Sequence, residues 1–478
     1  MQNIILIMAD QFRGDCIGYG GNTSIMTPYL DELAADGCYF ERAYSPSPTC
    51  VPARACMITG RKAADTGFFS NDFSQPWEFQ QTLMETIHRR GYQTINVGKN
   101  HFKPLRSKMG FEVNLLYEVK NDEQGTPSDY HLWLNKEAPD VKDTAKEYSP
   151  NAWEVLPWNG DSRLHPTEWT VTAAMEQLEL RDPVRPFYLQ ISFQRPHPPL
   201  DPPKHILDLY AREELPDPVI GKWAPQFDED TNCSDPFEGR INRRYLAMAK
   251  KAYYASITHI DRQVGRFIHY LKQKGLYQNT TIVFVSDHGE MLGDHNMFRK
   301  GPFLEGSARI PFIVKFANGI MDEEKGTKKD IPVSLLDLYP TFTELCGAVC
   351  PKDLDGISLC RLIKHPELRD YVFSENYRSN RQITTGGAAV IGRRYKYIWN
   401  SWLGEEYLFD IQADPGELYN LADDGIQRDM LEYMRGLVMK EYQSRPEDNM
   451  LDGDGRLKAG RILPAYRKPI EKPKPIGK

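Results

Sequence analysis

The stretch Ile4-Ile5-Leu6-Ile7-Met8-Ala9-Asp10-Gln11 decides the fold of this chain. Its first six residues are apolar without interruption, which is the pattern of a strand buried on both faces of a sheet. Two side chains that carry oxygen, Asp10 and Gln11, follow at once. Open α/β sheets bind their ligands at the carboxyl ends of parallel strands. The stretch therefore predicts a central parallel strand that ends either in a plain turn or in half of a metal site.

Three further predicted strands run into side chains that often serve catalysis or binding. They are residues 93–97 followed by Lys99 and His101, residues 187–193 followed by His197, and residues 281–286 followed by Asp287 and His288. A lone Lys-x-His or a lone His is more often part of an ordinary loop. A doubly wound sheet gathers its strand ends at one edge, so the sequence predicts that these side chains meet.

Four of these residues form a candidate metal site. Asp10 and Gln11 supply one half, and Asp287 and His288 supply the other. The set offers three oxygen ligands and one imidazole. Hard oxygen ligands favour Ca²⁺ or Mg²⁺, and the single nitrogen leaves Mn²⁺ open. We expect one divalent ion, with Ca²⁺ as the first choice.

The segment Thr-Cys-Val-Pro-Ala-Arg-Ala-Cys-Met-Ile-Thr-Gly-Arg, residues 49–61, predicts a helix that begins at a cysteine. Pro52 suits the first helical turn, where its missing N–H costs nothing. Cys50 then lies near unpaired N–H groups and the positive end of the helix dipole, which lowers the pKa of a thiol and makes it reactive. Arg54, one turn further on, is placed to contact an anion held by Cys50.

The segment Cys-x-Pro-Ala-Arg with a following Thr-Gly-Arg resembles the signature of type I sulfatases. In that family a maturase oxidises the cysteine to formylglycine, whose hydrate is the nucleophile. Other motifs match in family order: Gly-Lys-x-His at 98–101, Pro-His-x-Pro at 196–199, Lys300, and Asp-Pro-x-Glu-x-x-Asn-Leu at 414–421. Asn100 stands where the family often has Trp, and Gln11 and His288 replace the commoner Asp and Asn.

The resemblance implies a mechanism, in which the matured Cys50 is also a metal ligand. The hydrate, activated by the metal and Asp287, attacks sulfur while cations neutralise the sulfonate oxygens. Either His197 or Lys300 protonates the leaving alcohol, and His101 then takes a proton from the remaining hydroxyl so that sulfate is expelled. The catalytic residues implied are Cys50, Arg54, Lys99, His101, His197 and Lys300.

The predicted architecture is an α/β domain over residues 1–365, with a large, mostly parallel mixed sheet between helices, as the resemblance to the alkaline phosphatase superfamily implies. Short strand-like runs predict a smaller antiparallel α+β subdomain at 366–445, followed by a tail at 446–478 that wraps the protein or is disordered. A helix is expected over 333–345 and one strand over 38–44. The long loop 103–185 is interpreted as a substrate-selecting wall. Four aromatic residues of this loop are expected either to stack on a substrate ring or to form local core. They are Tyr130, Trp133, Trp153 and Trp158.

Composition excludes several classes of partner. The net charge is −7, so nucleic acid is not expected. No run approaches the ~20 apolar residues that span a bilayer, so no membrane partner is expected. The N-terminus lacks a basic segment and a cleavage site, which predicts a cytoplasmic protein, or a periplasmic one if a leader has been removed. The eight scattered cysteines form no CxxC pair and fit a reducing compartment.

Two alternatives to a sulfate ester hydrolase stay open. The first is a phosphonate monoester hydrolase or phosphodiesterase, which the resemblance places in the same superfamily with the same nucleophile. The pair Gln11 and His288 and the segment 303–311 are compatible with this alternative. The second is a sulfoglycan-binding module without catalysis, in which Cys50 stays a thiol. For the first choice, the substrate is an aryl sulfate or a sulfated carbohydrate.

Overall fold

The fold is given by a computed structural model that describes residues 1–377, 386–460 and 462–464. The large sheet and a small two-stranded sheet use β1 Asn3–Asp10, β2 Cys38–Phe40, β3 Ala43–Tyr44, β4 Gln93–Gly98, β5 Val113–Leu116, β6 Phe187–Pro196, β7 Thr280–Ser286, β8 Phe312–Lys315, β9 Thr327–Lys329 and β10 Val333–Ser334. A separate sheet uses β11 Tyr371–Tyr377, β12 Gly386–Gly392, β13 Tyr395–Asn400 and β14 Glu405–Asp410.

The α-helices lie on the faces of these sheets and in the connections between strands. They are α1 Pro28–Ala35, α2 Cys50–Thr59, α3 Ala63–Thr66, α4 Leu83–Arg89, α5 Asp129–Glu137, α6 Thr144–Glu147, α7 Pro166–Leu180, α8 Lys204–Leu207, α9 Arg243–Gln273, α10 Glu305–Ala308, α11 Leu338–Cys346, α12 Leu359–Lys364 and α13 Arg428–Gln443. Among the described residues, no helix combines the length and the apolar character needed to cross a membrane.

The large sheet has the order β5-β4-β6-β1-β7-β8-β2-β9. The five strands from β5 to β7 are parallel, whereas β8 is antiparallel to both of its neighbours. Strand β1 is central, and its side chains alternate between two cores: Ile5 and Ile7 pack in one with α7 and α9, and Leu6 and Met8 pack in the other with α2 and α11. The predicted mostly parallel sheet between helices is therefore confirmed.

Two predicted elements differ from the structure. The strand expected over 38–44 is divided, because β2 pairs with β8 and β9 of the large sheet while β3 turns away to pair with β10. The helix expected over 333–345 begins only at Leu338. Its first residues instead form β10, and Ser334 and Asp337 then make a capping box around a 3-10 turn.

The C-terminal sheet is antiparallel in the order β11-β12-β13-β14, as the short strand-like runs predicted. One face packs against α13 and the other against segments of the large domain. Met450 and Ile462 also join the core beside α13, so the described part of the tail wraps this sheet. The rest of the predicted tail, residues 465–478, lies outside the described residues.

The aromatic residues of the 103–185 region are core residues. Tyr130, Trp153 and Trp158 are buried, and Trp133 packs on the core that Tyr130 and Trp153 share with α7. Tyr130 stacks edge-on against Trp169. For these aromatic residues, the structure therefore supports the interpretation as local core instead of stacking on a substrate ring.

A buried ion cluster joins the C-terminal sheet to the large domain. Lys396 of β13 is fully buried, and its Nζ lies 2.5 Å from Glu305 and 2.9 Å from Glu417. We expect Lys396→Met to lower the free energy of unfolding by about 3–5 kcal/mol, because it leaves the buried Glu417 without its cation and takes from Glu305 the nearer of its two cations. Urea denaturation measures this loss. The matched control is Arg394→Met, which removes the exposed partner of Asp410 and changes stability little. Equal losses in the two variants would contradict the cluster's importance.

Candidate active site

The strand ends bring the predicted residues together. Asp10 is the last residue of β1, which pairs with both β6 and β7. His197 follows the end of β6, and Asp287 follows the end of β7. The carboxyl ends of three adjacent parallel strands thus surround one point, where Cys50 begins α2.

Four buried side chains converge at that point. The ligand atoms of Asp10, Cys50, Asp287 and His288 all lie within 4.8 Å of one another. The Cys50 Sγ is 3.0 Å from His288 Nε2 and 3.8 Å from Asp10 Oδ1. Two carboxylates and an imidazole around one point are a donor set for a divalent cation. If residue 50 is formylglycine, as the resemblance implies, Sγ of Cys50 stands for an oxygen of its hydrate, and these residues then fit both expected groups.

Gln11, the remaining predicted ligand, is held at both ends of its amide. It has a left-handed backbone, with φ of 68°. Its Nε2 donates to Glu290, and its Oε1 accepts a 2.6 Å hydrogen bond from Lys300. Glu290 also accepts the backbone N–H of Leu292. The amide oxygen therefore faces the site, beside a cation.

Arg54 lies behind the carboxylates. Its Nε donates to Asp287 at 2.9 Å, and its Nη1 donates to the carbonyl of Lys99 and to Ser192. Its Nη2 is 3.7 Å from Asp10. The guanidinium therefore orients both acids of the candidate metal site. A direct contact between Arg54 and a bound anion stays a prediction.

Cations dominate the electrostatics of the site. Burial opposes the ionisation of Asp10, but Lys99 and its neighbours hold the pKa of this carboxyl well below its usual range. Burial and Asp10 raise the pKa of the Cys50 thiol, yet Lys300, His288 and Lys99 outweigh them and lower it to about 5. A site that stabilises negative charge so strongly at residue 50 is suited to an anionic substrate.

His197 and Lys300 contact each other. His197 Nδ1 lies 2.9 Å from the Pro198 carbonyl, which only accepts, so this nitrogen carries the proton. The Nε2 then accepts a 2.7 Å hydrogen bond from Lys300. Burial, followed by the charge of Lys300, holds the pKa of His197 well below its usual value. His197 is thus neutral with a bare Nε2, whereas Lys300 holds protons.

His101 lies beside a carboxylate that sequence reasoning missed. His101 Nδ1 is 3.2 Å from Glu118 Oε2, and Phe73 packs edge-on against the imidazole with ring centres 5.1 Å apart. Glu118 follows strand β5 and is buried. Nothing in the sequence points to it, because Val113–Leu116 is short and is set in an irregular region. Glu290 had a signal, since it follows Asp-His-Gly, but its partners come from distant segments.

The reactive side chains open into a cavity of about 320 Å³. Cys50, Lys99, His101, His197 and Lys300 are among the residues that line it. The 103–185 region contributes part of the wall, through Lys103, Leu105, Glu118, Val119, Lys120, Asn121, Glu123, Pro150 and Asn151. That this wall selects the substrate stays a prediction.

Two other groups of residues lie outside this cavity. His295 does not line it. Its Nδ1 accepts the N–H of Gly221, and its ring lies on Trp223. Of the cysteines other than Cys50, Cys233 and Cys350 are exposed and the rest are buried.

The fold and the site define a class of protein. The site combines a cysteine at a helix start, two carboxylates with an imidazole around one point, and two lysines in one cavity. Such groups suit a metal-dependent hydrolase that cleaves esters of a tetrahedral oxyanion.

Comparison with known proteins identifies the family. Residues 2–348 match the sulfatase family model, and residues 293–443 match the model for the C-terminal part of N-sulphoglucosamine sulphohydrolase. The chain belongs to the sulfatase family, which makes it a sulfuric ester hydrolase.

Individual relatives agree with this assignment. An arylsulfatase of Clostridium perfringens is 38% identical, over 95% of this chain and 97% of the relative. An ulvan-active sulfatase of Formosa agariphila is 30% identical, over 88% of this chain and 76% of the relative. The solved phosphonate monoester hydrolase of Agrobacterium radiobacter is 24% identical, with a TM-score of 0.78 over 98% of this chain and 100% of that one, and so shares the fold.

Proposed function

We propose that the chain hydrolyses an aryl sulfate or a sulfated carbohydrate to an alcohol and inorganic sulfate at residue 50. One observation carries the proposal: Cys50 lies where Asp10, Asp287 and His288 converge, in a cavity that also exposes Lys99 and Lys300. A sulfate group needs cations around its oxygens, a nucleophile behind its sulfur and an acid at its leaving oxygen. The site provides a residue for each.

The cofactors of this proposal are formylglycine at residue 50 and Ca²⁺, with Mg²⁺ and Mn²⁺ as substitutes. A bound divalent ion supplies Lewis-acid activation of the nucleophile and charge neutralisation. Asp10, Gln11, Asp287 and His288 would hold it. The formylglycine also requires a transient maturase that recognises the segment around Pro52 and Arg54.

The other side chains of the site have separate roles in the proposed reaction. Lys99 and Lys300 neutralise sulfonate oxygens as charge develops. Lys300 supplies the proton for the leaving alcohol, because the Nε2 of His197 has none to give. His197 holds Lys300 in place. His101 takes the proton from the hydroxyl of residue 50 when sulfate departs.

Parallel assays test the proposal against its alternatives. The matured protein, loaded with Ca²⁺, is given an aryl sulfate, a phosphonate monoester and a phosphodiester with the same leaving group. We expect kcat/KM to be highest for the sulfate. Faster turnover of either phosphorus substrate would favour the second candidate, which the Gln11 and His288 pair supports. An unmodified thiol at Cys50 in protein from its natural host would instead favour the binding module.

The predicted division at residues 365 and 445 remains part of the proposal, and the separate sheet β11–β14 supports it. The cytoplasmic location stays a prediction from the sequence.

The proton source has a test of its own. Replacing Lys300 by methionine is expected to lower turnover by about 10²- to 10⁴-fold, the usual contribution of a positioned acid. The loss grows with the pKa of the leaving alcohol, because a good leaving group needs no proton. Removing the charge of Lys300 is also expected to raise the pKa of His197, which NMR can follow. His197→Asn is the matched variant, and a steeper leaving-group dependence in it than in Lys300→Met would show that His197 is the acid.

A further inference from the structure

The backbone around His101 is arranged to receive one carboxylate. The consecutive N–H groups of Asn100 and His101 both donate to Glu118 Oε1, at 2.9 and 2.7 Å. His101 adopts a left-handed backbone, with φ of 64°, which is uncommon for a residue other than glycine. Two adjacent N–H groups that converge in this way form an anion-binding nest. Glu118 therefore fixes both the backbone and, through its second oxygen, the ring of His101.

The second oxygen determines which ring nitrogen is protonated. Oε2 of Glu118 lies 3.2 Å from His101 Nδ1. An ionised carboxylate only accepts hydrogen bonds, so the proton of a neutral His101 must be on Nδ1. Burial opposes the ionisation of Glu118, but His101, Lys99 and the N–H donors lower its pKa to about 2. The carboxylate is thus charged throughout the physiological range.

From these contacts we infer that Glu118 is a positioning residue that keeps His101 in the tautomer with Nδ1 protonated and Nε2 free to act as a base. Phe73 holds the ring against rotation, since it packs on the imidazole from the 67–82 loop. A base needs its free nitrogen aimed at the proton that it takes. The kinetic part of this inference rests on the proposed function of His101, whereas the tautomer does not.

Glu118→Gln separates the positioning role from a purely structural one. The amide oxygen must occupy the Oε1 position, because the two N–H groups of the nest require an acceptor. The amide NH₂ then faces His101 Nδ1, which becomes an acceptor, and the ring proton moves to Nε2. The backbone contacts survive while the tautomer inverts, so the variant keeps its fold and loses its base.

The experiment reads the tautomer directly. Nitrogen-15 NMR of protein with labelled histidine, with and without Glu118→Gln, is recorded at a pH where His101 is neutral. We expect protonated Nδ1 in the parent and protonated Nε2 in the variant. The same tautomer in both proteins would overturn the inference. The measurement uses the unmodified Cys50 form, so it stands even if the proposed sulfate hydrolysis fails.

Kinetics of the matured enzyme supply the second readout. With the base lost, kcat falls by on the order of 100-fold. Because His101 acts after the alcohol has left, kcat/KM stays nearly constant, and KM falls with kcat. Glu118→Asp, which keeps the charge, restores part of the rate. An equal loss in kcat and kcat/KM, without rescue by aspartate, would overturn the positioning role.

A matched control exists in the same region. Glu112 also has a histidine partner, with His88 Nδ1 3.1 Å from its Oε1, but both lie away from the cavity. Glu112→Gln is expected to leave the His101 tautomer and kcat unchanged. A change in either would mean that the effect of Glu118→Gln reflects a general disturbance of this part of the protein.

Discussion

Replacing Cys50 by alanine is expected to abolish turnover of sulfate esters, with a loss on the order of 10⁶-fold, as for the removal of a covalent nucleophile. The alanine retains the helix start and removes only Sγ, which is buried beside His288 and Asp10. The fold should therefore persist, and circular dichroism checks this. Sulfate release from an aryl sulfate measures the loss.

The control lies six residues further along the same helix. Cys56 is also buried but contacts the core instead of the cavity. Cys56→Ala is expected to keep turnover and to cost only packing energy. In the parent protein, turnover should rise in proportion to the fraction of residue 50 that intact mass identifies as formylglycine. Full turnover by a preparation with an unmodified thiol at residue 50 would refute the proposed nucleophile.

The strand ends of the site could be predicted because a buried strand appears in the sequence as a run of apolar residues. One apolar run ends directly before Asp10 and another ends one residue before Asp287, and a parallel sheet must bring such ends together. Cys50 was identified by its segment, and its position at the start of α2 agrees with the expectation from Pro52.

The second set of groups around the site was not predictable in the same way. Glu118 meets His101 only because β5 lies beside β4 at the edge of the sheet, and β5 is too short to show a pattern. Glu290 holds Gln11 across a sequence separation of 279 residues. The guanidinium of Arg54 also contacts Asp287, a partner that its own segment does not indicate. Contacts of this kind depend on tertiary packing and not on local propensity.

Asp287→Asn is expected to remove both the bound metal and the activity. The substitution takes away one of the two carboxylate charges at the site, and the neutral amide is a weaker ligand for a hard cation. Without the ion, several kcal/mol of charge stabilisation is lost, which corresponds to a fall in turnover of about 10³-fold or more. Elemental analysis of the purified variant gives the metal content.

Thermal unfolding with Ca²⁺ and with chelator separates metal binding from catalysis. At a hundredfold excess over Kd the ion should stabilise the parent by about 2.7 kcal/mol, and it should have little effect on Asp287→Asn. Asp261→Asn is the matched control, because Asp261 is a buried acid whose contact is the backbone N–H of Leu30, a contact that an amide oxygen preserves. This variant should keep the full Ca²⁺ response. If the chelated parent retains turnover, or if Asp287→Asn binds Ca²⁺ as tightly, the four residues are not the metal site. In a separate experiment, Ca²⁺, Mg²⁺ or Mn²⁺ is added back to the chelated parent, and the turnover that each ion restores ranks the three ions.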